Sequence, residues 1–216
     1  MKAERRYIRT EVRAIGDGNS PKIAGHAALF NVRSQDLGGF VEIIAPGAFD
    51  ACLASSPDIL GLFNHDMDAI PLGRTTSGTL RVSIDSIGLA YEIDPPDTQL
   101  ARDLIVSLRR RDVTGSSFGF YCLEDDWVFA PDGDVLIRTV LKAEIFDVSP
   151  VTNPAYLETD SGVRSLRGLM PQDDAALRTL AAEKRAALTA PPPAPANDDC
   201  AWVLQAHQLL DAAELL

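Results

Sequence analysis

Basic side chains, cysteines and long apolar runs are all scarce in this sequence. The 216 residues include 20 Lys and Arg against 31 Asp and Glu, which gives a formal net charge of −11 at pH 7. Because contacts to phosphate need clustered cationic side chains, this balance argues against nucleic-acid binding. The three cysteines, Cys52, Cys122 and Cys200, are widely spaced and form no Cys-x-x-Cys pair. We therefore expect reduced thiols and a cytosolic compartment.

The sequence also lacks the segments that carry a chain into or across a membrane. No run of about 18 apolar residues occurs, so no membrane span is expected. The first residues, Met-Lys-Ala-Glu-Arg-Arg-Tyr, contain no apolar core of a signal peptide. The apolar fraction of 46% and the charged fraction of 24% are ordinary for a globular protein. The length is sufficient for one well-buried domain with some residues left over.

Short strands separated by turn residues fill most of the first 150 positions and predict an α+β domain of mainly antiparallel strands. The predicted strands cover residues 6–14, 22–32, 40–44, 58–63, 72–84, 89–93, a segment that begins at 117, and 135–148. One short helix is predicted over 49–54, and a longer one is capped by Asp97 or Thr98 and ends near residue 111. Its predicted apolar face consists of Leu100, Leu104, Ile105 and Leu108. Two prolines between 149 and 156 are expected to end the strand ladder.

The composition changes after about residue 157. Residues 172–188 are rich in alanine and predict a helix, residues 191–195 form a stiff proline-rich linker, and residues 199–216 predict a short amphipathic helix. We therefore divide the chain into a compact domain, 1–157, and a helical, proline-linked C-terminal tail, 158–216.

The segment 112–120, Asp-Val-Thr-Gly-Ser-Ser-Phe-Gly-Phe, is where the sequence first indicates chemistry. Its glycine permits a sharp turn before a strand that is predicted to be buried, a junction that could aim the hydroxyl of Ser117 outward. A serine becomes a nucleophile when a base takes its proton, and imidazole is the commonest base at neutral pH. One of three histidines, His65, follows a short apolar run and is the candidate base. The simpler interpretation makes His65 a structural residue at a strand end beside Asp66.

A serine–histidine pair usually needs a third group that orients the imidazole. Glu144 and Asp147 lie on the strand after the Ser117 hairpin, and in a regular strand they face opposite sides. At most one of them is therefore expected to reach His65, and either could instead lie at a solvated edge. Asp66 and Asp68 suggest a metal site, but no second histidine or cysteine lies at ligand spacing. The sequence predicts neither a metal nor a cofactor.

Six segments, taken in order, closely resemble the prohead serine proteases of tailed phages. They are Gly-His-Ala-Ala-Leu-Phe-Asn (25–31), Ile-Ala-Pro-Gly-Ala-Phe (44–49), Phe-Asn-His-Asp (63–66), Leu-Gly-Arg-Thr (72–75), Gly-Ser-Ser-Phe-Gly-Phe (115–120) and Asp-Val-Ser-Pro-Val-Thr-Asn-Pro-Ala-Tyr (147–156). The resemblance spans residues 5–157. It implies a β-barrel surrounded by a few helices, a fold related to that of the herpesvirus maturation proteases.

The resemblance also implies roles for individual residues. His65 would be the base and Ser117 the nucleophile, although Ser116 precedes it where many relatives have an apolar residue. The usual acid of the family, a glutamate before Val-Ser, corresponds to Asp147, a shorter side chain, so Glu144 stays a candidate. Backbone N–H groups near 115–119 are candidates for the oxyanion hole.

The function implied by the resemblance is that of a serine endopeptidase inside the assembling prohead, in the cytoplasm of a bacterial host. Its partners would be the major capsid protein with its scaffolding segment and other copies of itself, and it would also cleave itself. The tail would then be a detachable assembly segment. The alternative is a catalytically silent capsid-scaffold or assembly module with the same fold. A small-molecule serine hydrolase is disfavoured because Ser117 lies in no Gly-x-Ser-x-Gly elbow.

Overall fold

A computed structural model describes residues 2–8, 12–16, 20–131, 133–152 and 175–189. The strands are β1 (Ala3–Ile8), β2 (Arg13–Ile15), β3 (Lys22–Leu29), β4 (Val41–Ile44), β5 (Leu60–Gly61), β6 (Gly73–Arg74), β7 (Leu80–Ile84), β8 (Gly88–Ile93), β9 (Gly115–Phe129) and β10 (Leu136–Val151). The helices are α1 (Asp50–Ala54), α2 (Gln99–Arg110) and α3 (Ala175–Thr189). Several features of the sequence lie outside the described residues. They are the proposed boundary near residue 157, the linker 191–195, the predicted helix over 199–216, Cys200 and His207.

The strands form a mixed α+β structure in which strands dominate. One sheet has the order β1-β9-β10-β5-β6, with β4 also paired to β10, and the other has the order β2-β3-β8-β7. Most pairs are antiparallel, as the sequence predicts, but β4 and β5 both run parallel to β10. Within the ranges given above, the pairing produces two sheets with open edges, and the closed barrel implied by the resemblance is not found.

The long hairpin of β9 and β10 is the framework of the larger sheet, with 15 and 16 residues in its two strands. The predicted end of β10 at residue 148 is wrong, because the strand continues through Pro150 to Val151 opposite Gly115. The Pro150 carbonyl accepts a hydrogen bond from the N–H of Asn64 at 3.0 Å. Since the N–H and C=O of one strand residue point to the same side, the missing donor of Pro150 faces Asn64 and leaves the β9 ladder intact.

The predicted single strand over 6–14 is also wrong. β1 pairs with β9 in the larger sheet, whereas β2 pairs with β3 in the smaller sheet. Alternation identified both segments as extended, but it carries no information about which sheet each one joins.

Helix α2 forms where the sequence predicts it. The hydroxyl of Thr98 accepts a hydrogen bond from the N–H of Ala101 at 3.4 Å, and Arg111 ends the helix in the left-handed region at φ 65°. Leu104 and Leu108, together with Ile105, are buried as expected, but Leu100 in the first turn is 38% exposed.

The main core lies against the inner face of β9. Phe118 and Phe120 are fully buried, their rings stack at 4.9 Å between centroids, and Phe49 meets Phe118 edge-on at 5.7 Å. These rings fix the position of β9. They therefore also fix Ser117, which directly precedes Phe118 in the strand. No helix in the described part of the chain is long and apolar enough to cross a bilayer.

The Ala-rich helix predicted over 172–188 is present as α3. Its residue Ala181 is buried with Phe40, Trp127 and Leu136, in a small cluster at the far end of the β9–β10 hairpin. Arg185 of α3 also donates to the carbonyl of Gly39 at 3.3 Å. Helix α3, which falls within the proposed tail 158–216, therefore packs on the β9–β10 hairpin.

Candidate active site

His65 is placed by a strained loop between β5 and β6. Asn64 and His65 both have left-handed backbone conformations, with φ of 53° and 58°. Such conformations are uncommon outside glycine and persist only where the surroundings hold them. The side-chain oxygen of Asn64 accepts hydrogen bonds from the N–H of Thr152 at 3.0 Å and from its hydroxyl at 3.3 Å. These contacts fasten the loop to the end of β10 and direct the imidazole onto the sheet.

The imidazole of His65 bridges Ser117 and Asp147. Its Nε2 is hydrogen-bonded to Oγ of Ser117, and its Nδ1 lies 2.5 Å from Oδ1 of Asp147. Ser117 and Asp147 are fully buried and His65 is 5% exposed. The hydroxyl, the imidazole and the carboxylate therefore form one line of hydrogen bonds. In the sequence, Ser117 lies 52 positions after His65, and Asp147 lies 82 positions after it.

The strand register explains why these residues meet. In the β9–β10 pair, Ser149 lies opposite Ser117 and Asp147 lies opposite Gly119. Directly opposite residues share one face of a sheet, so Ser117 and Asp147 point to the same side. An acid on β10, a hydroxyl on β9 and an imidazole above both can move a proton from the serine and stabilise the resulting imidazolium.

The structure does not bring Glu144 to this cluster. Glu144 is exposed on β10 opposite Tyr121, whereas Asp147 is fully buried. The expectation that the two carboxylates face opposite sides is wrong. A register shift between Ile145 and Asp147 leaves them opposite Tyr121 and Gly119, which lie two residues apart on one face of β9. Ser116 points away from His65, because its hydroxyl is hydrogen-bonded to that of Tyr91 at 2.8 Å. Burial raises the pKa of the Tyr91 phenol, so this hydroxyl stays neutral.

Gly119 has a role that the sequence reasoning missed. A Cβ at this position would lie 2.2 Å from Oδ2 of Asp147 and 2.5 Å from the ring of Phe146. Both distances are below any real contact, so only glycine leaves room for the carboxylate above β9. The sequence pattern of Phe-Gly-Phe predicts only the start of a buried strand. The structure adds that this glycine lies opposite a buried acid, where the two strands need a close approach.

Ser149 is a second residue that the sequence reasoning left without a role. Its hydroxyl donates to Oδ1 of Asp147 at 3.0 Å and accepts from the backbone N–H of His65 at 3.3 Å. Ser149 therefore joins the carboxylate to the strained loop. The available signal was its position two residues after Asp147, which puts both side chains on one face of β10.

Asp66, considered above for a metal site, and the other described histidine, His26, have structural contacts. Asp66 accepts from the N–H groups of Asp68 at 3.0 Å and Ala69 at 3.2 Å, which closes its own turn. His26 on β3 lies 2.7 Å from a carboxylate oxygen of Asp85. In the described part of the chain, no group of three or more His, Cys, Asp or Glu side chains could hold a metal ion.

Comparison with known proteins gives one family. A family model described as Caudovirus prohead serine protease matches residues 8–169, which is well over half of the chain and includes His65, Ser117 and Asp147. The prohead protease of Enterobacteria phage HK97 is 28% identical over 167 residues, covering 74% of this chain and 71% of that relative. No solved structure matches the chain.

Proposed function

Because this chain belongs to the caudovirus prohead serine protease family, we propose that it is a serine endopeptidase with Ser117 as nucleophile, His65 as base and Asp147 as acid. The observation that carries the proposal is the single buried line of hydrogen bonds that joins these three side chains. Their order along this line is that of a catalytic triad, with the imidazole between the acid and the hydroxyl.

The proposed reaction is acyl transfer to water. Ser117 Oγ attacks the carbonyl carbon of the scissile peptide while His65 Nε2 takes the hydroxyl proton. His65 then gives that proton to the leaving amine as the C–N bond breaks. Water, activated by the same imidazole, releases the acid product and restores the serine. Asp147 keeps the proton of the neutral imidazole on Nδ1 and stabilises the imidazolium that forms.

Two neighbours support this geometry without contacting the reacting atoms. Gly119 leaves the space that the Asp147 carboxylate occupies, and the Ser149 hydroxyl holds that carboxylate and the His65 backbone. We also assign the oxyanion hole to backbone N–H groups of segment 115–119, because the negative charge develops beside Ser117.

The proposed substrates are the major capsid protein with its scaffolding segment, and the chain itself. In this proposal the enzyme acts inside the assembling prohead in the bacterial cytoplasm, and segment 158–216 is removed during maturation. The family membership and the change of composition after residue 157 motivate this part of the proposal. A tail that remains intact in mature particles made with active enzyme would contradict self-processing.

The decisive test is co-expression with the capsid protein of the same phage. The wild-type chain should shorten the capsid protein, whereas Ser117→Ala and His65→Ala should each slow cleavage by about 10³-fold or more. Asp147→Asn should also slow it strongly, because the imidazole loses its preferred tautomer. Glu144→Gln is the matched control, since Glu144 is exposed on β10 opposite Tyr121 and is not part of the line of hydrogen bonds.

The outcomes separate the enzyme from a silent scaffold module. Capsid shortening that persists in Ser117→Ala would refute the assignment of the nucleophile. Particles that assemble with the wild-type chain but contain only full-length capsid protein would favour the catalytically silent alternative. An effect of Glu144→Gln as large as that of Asp147→Asn would move the acid to Glu144.

A further inference from the structure

We propose that the edge of β9 from Ser116 to Tyr121 is the substrate-binding strand, that β1 occupies it in the resting chain, and that this site selects an extended peptide with a basic residue at the position of Arg6. The inference rests on the proposed function, because it places the substrate at the proposed nucleophile.

The strand β1 lies beside Ser117 in the larger sheet. It pairs antiparallel with β9, and Tyr7 is the residue opposite Ser117. Oγ of Ser117 donates to the carbonyl oxygen of Arg6 at 2.8 Å, and the ring of Tyr7 meets the imidazole of His65 edge-on at 5.5 Å between centroids. Ser117 is fully buried as a result.

This arrangement is incompatible with catalysis while β1 stays in place. A scissile carbonyl carbon must come within about 3–3.5 Å of the attacking oxygen. The Arg6–Tyr7 backbone fills that space. In addition, a hydroxyl has one proton, so a Ser117 that donates to Arg6 does not donate to His65. A peptide substrate and β1 therefore compete for the same position.

Release of β1 would expose an edge suited to a peptide strand. β1 is the outermost strand of its sheet, and its partner β9 has β10 on the other side. Without β1, the backbone N–H and C=O groups along this edge of β9 lose their partners. Such an edge binds extended peptides by adding them as a further strand, with alternate side chains giving specificity. β1 shows the direction and register that such a peptide would adopt.

Specificity follows from a cluster of five charged side chains, here called the charge cluster, formed by Glu4, Arg6, Glu42, Asp125 and Arg138. Arg6 donates to the two oxygens of Glu42 from Nε at 2.6 Å and from Nη2 at 2.8 Å. Arg138 donates to Glu42 at 2.9 Å and to Asp125 at 2.7 Å. Burial by itself would lower the pKa of Arg6, but the carboxylates of Glu42 and Glu4 outweigh burial and raise it.

Glu42 depends on a cation from the strand that pairs with this edge of β9. β1 contributes Glu4 and Arg6, so its departure leaves Glu42 and Asp125 to share the single guanidinium of Arg138. Glu42 then keeps Arg138 but loses Arg6, which contacts both of its oxygens, and a buried carboxylate that loses a paired cation is costly. A substrate with Arg or Lys at the Arg6 position restores the pair with Glu42, whereas an acidic residue there adds a third carboxylate. The site therefore fits a basic residue and rejects an acidic one.

A reversible lock on β1 tests the occupancy. Ala3 and Tyr121 are directly opposite in the β1–β9 pair, at a spacing that a disulfide can bridge. The double variant Ala3→Cys/Tyr121→Cys is made in the full chain with Cys122→Ser and Cys200→Ser. Labelling of Ser117 by a fluorophosphonate reagent should be slower by about tenfold or more in the oxidised form, and dithiothreitol should restore the rate. The single variant Ala3→Cys in the same background controls for oxidation.

The results distinguish failure of the inference from failure of the proposed function. Equal labelling of the oxidised and reduced double variant would show that β1 need not leave, and would overturn the inference alone. No labelling of any form, including the wild-type chain and a loosened Arg6→Ala variant, would refute the nucleophile and the inference with it. Faster labelling of Arg6→Ala than of Arg6→Lys supports the inference, because the lysine still places a positive charge beside Glu42 and so holds β1 in place.

Peptides test the selectivity. The hexapeptide Ala-Glu-Arg-Arg-Tyr-Ile, which copies residues 3–8, should protect Ser117 of the full chain from the fluorophosphonate. Replacement of its second arginine, the copy of Arg6, by glutamate should weaken protection by about tenfold or more. Replacement of its first arginine, the copy of Arg5, by glutamate is the matched control of equal net charge. Equal weakening by both replacements would refute a specific basic subsite.

Discussion

The carboxylate of Asp147 depends on the absence of a side chain beneath it. Oδ1 is hydrogen-bonded to His65 and Ser149, whereas Oδ2 is buried above Gly119 and has no hydrogen-bond partner among the described residues. The position of the carboxylate is therefore fixed by contacts on one oxygen and by the shape of the space around the other. Small changes at Gly119 or Ser149 should act on catalysis through this carboxylate.

Gly119→Ala should reduce both activity and stability. The new Cβ would lie 2.2 Å from Oδ2 of Asp147, so the carboxylate must move away from its present place. We expect a loss of about 1–3 kcal/mol in the free energy of unfolding and a loss of about 100-fold in the rate of capsid cleavage. Gly78→Ala is the control, because it adds backbone strain at φ 72° with no atom within 4 Å. Equal cleavage by the two variants would contradict this role of Gly119.

Ser149→Ala should lower kcat and leave KM nearly unchanged. The hydroxyl contacts Asp147 and, in His65, the backbone N–H and Nδ1, none of which is an atom that the proposed mechanism places on the substrate. Its loss should let the acid and the loop shift, with a reduction in kcat of about 10-fold to 100-fold. Cleavage rates over a range of capsid protein concentrations give the two constants. A rise in KM with unchanged kcat would instead place Ser149 in substrate binding.

At the scale of strands and helices, alternation of apolar and polar residues identified most elements but not their partners. The strands β3, β4 and β8 and the helix α2 lie close to their predicted positions because their patterns are local. The separation of β1 from β2 into different sheets depends on pairing with β9 and β3, far along the chain. No local pattern encodes that choice.

The candidate site shows the same division. His65, Ser117 and the Glu144 or Asp147 alternative could be selected from residue chemistry and a family resemblance. The burial that separates Asp147 from Glu144 and the register that places Gly119 opposite Asp147 come from the pairing of β9 with β10. This pairing contains register shifts, one of them between Ile145 and Asp147. A shift of one residue reverses which side chains face the site, so the register had to be observed.

The packing of α3 gives a prediction at this scale. Ala181 is buried against Phe40 and Trp127, so Ala181→Asp should displace α3 from the β9–β10 hairpin. With Trp202→Phe as background, the emission of Trp127 should shift to the red, and the free energy of unfolding should fall by about 1–3 kcal/mol. Ala182→Asp places the same charge on the exposed side of α3 and is the control. Matching spectra from both variants would show that α3 does not cover Trp127 in solution.

At the scale of the whole molecule, the two faces of β9 contact different parts of the protein, the candidate active site on one side and the core on the other. One face carries Ser117 toward His65 and Asp147. The opposite face carries Phe118 and Phe120 into the core, and the guanidinium of Arg6 lies 5.4 Å from the centroid of the Phe120 ring. The charge cluster lies beside this second face and joins four strands, since its members belong to β1, β4, β9 and β10. Changes in the cluster should therefore affect the whole fold.

Arg138 is the member of the charge cluster on which the others depend most. It is 2% exposed and donates to Glu4, Glu42 and Asp125. Burial by itself would lower the pKa of Arg138, but the carboxylates of Glu4 and Glu42 raise it, so Arg138 is charged at all ordinary pH values. Arg138→Met keeps much of the side-chain volume and leaves three carboxylates with Arg6 alone. The expected loss in the free energy of unfolding is about 3–5 kcal/mol, measured by urea denaturation at pH 8.

The pH dependence of this loss distinguishes charge from packing. In the Arg138→Met chain, unpaired buried carboxylates have a raised pKa in the folded state, so they bind protons more readily folded than unfolded. The stability of the variant should therefore increase as the pH falls from 8 to 5, and its deficit relative to wild type should shrink. Arg74→Met, which breaks an exposed pair with Asp58, should cost far less at pH 8. A deficit of Arg138→Met that is equal at both pH values would assign the loss to packing, and would remove the electrostatic basis for a basic residue at the Arg6 position.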